Sequence, residues 1–176
     1  CCNSKWHTEQ SPVISKQRYL NMDAVTIRTA TLNDLETLLQ FEQGIIETER
    51  PFDPTLKEGT INYYDLGALI VSPEAEVVVA TAGEEVIGSG YALIRQAQVY
   101  LKHSRYAYLG FMFVKPEHRG KGVNKKILAA LKQWALSKNI TEIRLEVYAE
   151  NILAKKAYEK AGFTGHMLEM RMAADE

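Results

Sequence analysis

The run Phe113-Val114-Lys115-Pro116-Glu117-His118-Arg119-Gly120-Lys121-Gly122-Val123-Asn124-Lys125-Lys126 holds the residues best placed for chemistry. An apolar stretch gives way to a glycine turn that opens a helix. Free backbone N–H groups therefore converge where the helix dipole is positive, which suits an anion. Gly120 and Gly122 let the chain approach a phosphate with no Cβ in between. From Lys115 to Lys126 five basic residues (Lys115, Arg119, Lys121, Lys125, Lys126) face one acid, Glu117, a local balance of +4. A plain glycine turn with a solvated basic rim explains the same residues. Two phosphate motifs fail: a Walker loop needs Ser or Thr where Gly122 follows Lys121, and a dinucleotide fingerprint needs glycine where Lys125 stands.

A second cluster lies downstream, at Asn151, Ala154, Tyr158 and Gly162-Phe163. Asn151 and Tyr158 are seven residues apart, two turns along one helical face. A phenol of ordinary pKa is protonated at neutral pH and can donate that proton. A core tyrosine with a satisfied hydroxyl is the alternative.

The elements that must carry these clusters follow from periodicity. Met22 opens the first clear pattern, with Ala24 to Arg28 alternating like a half-buried strand. Thr31 and Asp34 mark the start of a helix bearing Leu35, Leu38, Leu39, Glu42 and Ile46, which must end before Arg50-Pro51-Phe52-Asp53-Pro54. A short helix is expected from Leu56 to Leu66 with Thr55 as its cap. Val77–Ala80 and Val86–Arg95 read as a hairpin turning at Ala82-Gly83-Glu84-Glu85. Tyr106–Val114 is apolar enough for a central strand, and Gly110 inside it suggests a bulge or a close approach. A helix follows with Ile127, Leu128, Leu131, Trp134 and Ala135 on one face. Next come a strand at Ile143–Val147, a helix capped by Asn151 and ended by Gly162, and a last strand at Thr164–Met172. The order βααβββαβαβ gives an α/β (α+β) fold, a mixed sheet with helices on both faces.

Composition bounds the function. The chain has 176 residues, 46% hydrophobic and 24% charged, with net charge -1; that is one domain's worth of core and no global field for nucleic acid or an anionic membrane. The two cysteines, Cys1 and Cys2, are adjacent, and four scattered histidines offer no zinc spacing, so no metal is expected. A reduced, cytoplasmic setting is the default. Residues 1–21 are polar and aperiodic and are expected to form a flexible N-terminal extension, with a single domain over 22–176. A lipid-modified Cys1 is the functional alternative there.

Together the two clusters resemble the GNAT-type, acetyl-CoA-dependent N-acetyltransferases, over about Val25 to Met172. The family's pyrophosphate motif, [QR]-x-x-G-x-[GA], falls on Arg119 to Asn124, with Asn124 where glycine or alanine is usual. The later pattern of Asn, Ala, Tyr and Gly-Phe falls on Asn151, Ala154, Tyr158, Gly162 and Phe163. The resemblance implies a mostly antiparallel sheet whose central strand splays from the next. It implies direct acetyl transfer from acetyl-CoA to a primary amine of a small molecule or peptide. Main-chain groups of Met112, Phe113 and Val114 would meet the pantetheine. Arg119, Gly120, Lys121, Gly122, Val123, Asn124 and Lys125 would hold the pyrophosphate, Asn151 would touch the pantetheine region, and Tyr158 would be the general acid. Relatives often place a catalytic glutamate on the central strand, but Tyr108 to Met112 holds no carboxylate. The base is then sought among Glu47, Glu49, Glu146, Tyr106, Tyr108 or water. A catalytically weak acetyl-CoA sensor is the competing reading, resting on Asn124 and the missing glutamate. The resemblance allows a homodimer.

Between Glu36 and Glu58 six acids (Glu36, Glu42, Glu47, Glu49, Asp53, Glu58) stand against Arg50 and Lys57. A cationic acceptor and a solvated acidic helix face both fit that excess. Phe52, Tyr63 and Tyr64 would form an aromatic wall or simply pack.

Overall fold

The computed structural model describes residues 25–174. The expected extension over 1–21 and the expected start of the domain at Met22 lie outside them. The strands are β1 (Val25–Thr29), β2 (Ala75–Ala82), β3 (Glu85–Gln96), β4 (Arg105–Val114) and β5 (Ile143–Leu145). The helices are α1 (Leu35–Glu49), α2 (Leu66–Val71), α3 (Val123–Ser137) and α4 (Ile152–Lys160). The strands form one sheet in chain order, antiparallel from β1 to β4, with β5 parallel to β4. A parallel neighbour needs a crossover, and α3 supplies it. No helix among the described residues is long and apolar enough to cross a membrane.

Strand alternation builds two cores. Val77 and Val79 of β2 meet Leu38, Phe41 and Ile45 of α1 and Leu66 of α2. Val78 and Ala80, one residue out of phase, meet Ile127, Leu128 and Leu131 of α3 on the other face. Ile127 and Leu131 expose nothing, and each contributes about 2 kcal/mol by burial. The entry to α1 is fixed by charge. Thr31 N–H donates to Asp34 Oδ2 at 2.8 Å, and the Arg28 guanidinium forks onto both Asp34 oxygens at 2.8 and 2.7 Å.

β4 breaks its own alternation. Ala107 and Leu109 face α3, but Phe111 lies in the α1 core, and Met112 and Phe113 continue in the new phase. The register against β3 shifts between Ser89 and Tyr91, so three steps of β4 cover two of β3. Phe111 takes the left-handed region at φ 58°, rare for a side chain with a Cβ. The fully buried Ser89 hydroxyl donates to the Phe111 carbonyl at 3.2 Å. Gly110 is required by contact: a Cβ there would lie 2.6 Å from the Tyr91 ring. This is a β-bulge, and both readings of Gly110 hold.

Three expectations fail. Residues 56–65 are not helical; the helix is α2, capped by Asp65, whose side chain accepts from Ala68 N–H. Thr55 cannot cap a helix because its N–H and hydroxyl are both drawn to Asp53 Oδ1. Arg50 then pulls the carbonyls of Lys57 and Gly59 away from helical geometry. β5 stops at Leu145 rather than Val147. Residues 164–172 form no strand; Arg171 instead reaches Asp53 Oδ2 at 3.1 Å and Thr55 Oγ1 at 2.9 Å. A side-chain clasp replaces the expected ladder.

Candidate active site

β4 and β5 pair only from Ala107 to Leu109 and from Ile143 to Leu145. Beyond that the bulge carries β4 away, and the strands part around a cavity of about 70 Å³. Its wall takes the β4 segment from Tyr108 to Met112, Glu49 from the last position of α1, and Tyr64 from the loop before α2. Glu146 follows β5, and Tyr158 comes from α4. Four elements and a loop thus place two carboxylates and three phenols around one space.

Tyr158 is held by how α4 begins and ends. Asn151 Oδ1 accepts the Ala154 N–H at 3.1 Å and caps the helix. At the other end Gly162 at φ 100° turns the chain, and Phe163 N–H returns to the Tyr158 carbonyl at 3.0 Å. The Phe163 ring meets the Tyr158 ring edge-on at 5.9 Å. One turn therefore fixes both backbone and ring.

Burial sets the ionisation. Loss of solvent pushes the Tyr158 phenol up to about 12, and the nearby Glu49 carboxylate adds to that. Burial also raises Glu49 above the usual carboxylate range, while the Tyr63 phenol pulls it the other way. Burial first, then Glu49, raises Tyr63 and Tyr148; Tyr64 is raised by burial, then Tyr91, then Glu49. Glu49 is thus a half-buried acid among four phenols. Tyr108 Oη donates to Glu146 Oε2 at 3.2 Å, on a rim that is open to solvent.

The other base candidates lie elsewhere. Glu47 points outward beside Arg50, its side chain 74% exposed. Tyr106 lies under the Arg144 guanidinium, 4.4 Å from its ring centre, away from the cavity. Of the residues expected to meet pantetheine, Met112 lines the cavity, whereas the Phe113 ring packs on Phe41 at 4.6 Å. The Val114 carbonyl is taken by Arg119 Nε at 3.0 Å.

The glycine turn is built as expected. Gly120 and Gly122 have φ of 73° and 77°, with no atom within 4 Å of where a Cβ would stand. The space is open, so backbone conformation is what demands glycine. Gly122 is the N-cap of α3 and supplies no side-chain cap, which leaves the first amides of the helix available. Asn124 does not fill that role either, since its Oδ1 is buried without a hydrogen-bond partner. Lys126 turns away to the Val25 carbonyl at 3.1 Å.

Sequence reasoning missed a cluster of side chains around Asp53. Asp53 Oδ2 receives Arg171 and, at 3.4 Å, Tyr148 Oη; Tyr148 also stacks on Phe52 at 6.1 Å. These residues are far apart in the chain, and no local spacing pairs them. Glu85, Glu117 and His118 also bring ligand-type atoms within 4.8 Å of one another at the surface, with the Lys115 ammonium already on Glu85 at 2.5 Å.

Comparison with known proteins places this geometry. Residues 34–163 match the acetyltransferase (GNAT) family. The chain is 28% identical over 144 residues to the aminoglycoside N(6')-acetyltransferase type 1 of Stenotrophomonas maltophilia, covering 80% of this chain and 86% of that protein. It is 29% identical over 155 residues to the thialysine N-epsilon-acetyltransferase of Bos taurus, covering 80% and 85%. A stretch of 58 residues is 41% identical to the streptothricin acetyltransferase of Escherichia coli, and spans only 33% of each protein. Among solved structures, a predicted acetyltransferase of Clostridium acetobutylicum with acetyl-CoA shares the fold at TM-score 0.63 and 19% identity, over 84% of this chain and 96% of that one. The splayed sheet and its two motifs are therefore those of a known lineage: the chain belongs to the acetyltransferase (GNAT) family and is an N-acetyltransferase.

Proposed function

We propose that the protein moves an acetyl group from acetyl-CoA to a primary amine on a cationic acceptor, with Glu49 as base and Tyr158 as acid. The observation that carries this reading is a half-buried carboxylate and a phenol sharing the cavity where β4 and β5 part.

The turn from Arg119 to Lys125 suits a diphosphate: its glycines are open to space, and the first amides of α3 have no side-chain cap. Met112 and the free amide nitrogen of Asn151 would guide the pantetheine. The attacking amine must first be neutral, and burial makes Glu49 a stronger proton acceptor than an ordinary glutamate. The amine nitrogen then bonds to the thioester carbon, the carbon–sulfur bond breaks, and the thiolate needs a proton. Tyr158, at about 12, is a weaker acid than a thiol of about 8.5. It therefore acts first as a hydrogen-bond donor to the developing thiolate. Two protons leave the ammonium in all: the one collected by Glu49 restores the phenol and so ends on sulfur, and the other passes to solvent as the amide forms, with no net change in the protein.

Glu49, Glu146 and Asp53 surround the acceptor side with negative charge, and phenol faces favour a cation as well. Relatives named for aminoglycosides and thialysine support an amine acceptor. The test is release of free thiol from acetyl-CoA with kanamycin or thialysine as the probe amine. Release that requires the amine supports the reading. Binding of CoA without amine-dependent release overturns it.

A further inference from the structure

Glu42 lies in the middle of α1 and exposes no surface. Among the described residues no cation pairs with it. Its partners are N–H donors from the loop before α2: Asn62 Nδ2 at 2.9 Å, Tyr63 N at 2.7 Å and Tyr64 N at 2.9 Å. Both backbone donors converge on the same oxygen, Oε1. A buried carboxylate without a cation is unfavourable unless its oxygens are fully used, and a leucine would pack the same space more cheaply. What the charge obtains is order in a segment with no helix or strand to hold it.

That segment carries the acceptor wall. The Tyr64 ring meets Tyr91 at 5.4 Å and Phe111 at 5.5 Å, both nearly edge-on. Tyr64 lines the catalytic cavity and also a second hollow of about 340 Å³ between β3 and α2, with Tyr63, Asp65 and Tyr91. Tyr63 Oη is buried near Glu49. We infer that Glu42 is a positioning residue for the amine acceptor: it latches the Tyr63–Tyr64 backbone so that both phenols face Glu49. This rests on the acetyl transfer proposed above.

The test compares Glu42→Ala, Glu42→Gln and Glu42→Asp by steady-state thiol release with kanamycin and thialysine, and by amide hydrogen exchange. Glu42→Ala leaves two backbone donors unpaired, and we expect the amine KM to rise about tenfold with the acetyl-CoA KM within about twofold. Glu42→Gln keeps an oxygen for the two backbone donors and is expected to stay near the natural protein. Glu42→Asp keeps the charge but withdraws the oxygens, and should behave like the alanine variant even if that variant fails to fold. Equal rises in both KM values, or an unchanged amine KM in Glu42→Asp, would overturn the inference. If the natural protein acetylates neither probe, the functional reading fails, and exchange still reads the latch. Tyr63 and Tyr64 amides that lose protection in Glu42→Asp and keep it in Glu42→Gln support the latch; protection that is the same in all three overturns it.

Discussion

The proposed donor side and the proposed acceptor side of the cleft are built by opposite means. The proposed donor side is one continuous turn, Arg119 to Lys125, largely exposed and basic, and what it offers is backbone amides left uncapped beside two left-handed glycines. The proposed acceptor side gathers Glu49, Tyr64 and Glu146 of the cavity wall and, behind them, Asp53, Tyr63, Tyr148 and Arg171, from separate stretches of chain. What it offers is side chains, with Glu49 half-buried, Asp53 buried and Glu146 exposed. A ligand of fixed chemistry, such as a diphosphate, suits recognition by backbone, which no side-chain substitution removes. An acceptor that differs between relatives suits side chains, which substitution can exchange.

The sharpest break comes at the point where the two sides meet. Tyr158→Phe is expected to lower kcat by about 10² to 10³ while CoA affinity stays within about twofold; parallel loss of both, seen by turnover and calorimetric titration, would place Tyr158 on the donor side alone. Glu49→Gln should lower kcat by about 10². Because Glu49 is raised above 4.5, the natural protein should lose kcat/KM for the amine on acidification at a pH above that value. The glutamine variant should lack that limb, which a pH–rate profile checks. Gly122→Ala probes the donor side, where φ of 77° disfavours a Cβ. A loss of about tenfold in CoA affinity is expected, with kcat at saturating acetyl-CoA little changed.

Arg171→Ala gives the smallest effect. It releases the clasp on Asp53 and Thr55 and should raise the amine KM about twofold, as suits a half-exposed pair. Thr55 and then Arg171 hold Asp53 at about 2, against an ordinary 3.8. The contribution of the clasp to stability is thus complete above about pH 4 and is lost as the pH falls toward 2. Natural and variant proteins should differ in melting temperature at neutral pH and converge in strong acid.

The same contrast explains what the sequence disclosed. The donor turn, Tyr158 and the helix around it were legible because each is a short pattern on one element. The β2–β3 hairpin was legible because a tight turn joins the two strands, and the order of elements was legible because α3 carries its own apolar face between β4 and β5. The six acids of 36–58 were not separable: Glu42 is buried, Glu49 lines the cavity and Asp53 holds a clasp, whereas Glu36, Glu47 and Glu58 face solvent. Helical spacing places Glu42 on the core face, but a charge there argues against burial until Tyr63 and Tyr64 arrive to pair with it. Thr55 looks like a cap until Asp53, two residues earlier, claims it. The segment 164–172 has the composition of a strand, and only the reach of Arg171 to Asp53 shows another use for it.

The phase slip at Phe111 divides β4 into two half-strands of opposite parity. Odd-numbered residues face α3 before it and α1 after it. Register and the opening between β4 and β5 are therefore linked by a single inserted position. A lineage that lost one residue here would regain an unbroken ladder with β3, turn Met112 through the sheet, and close the gap between β4 and β5. Length at this point of the strand is itself a structural character, set by geometry whatever the letters that fill it.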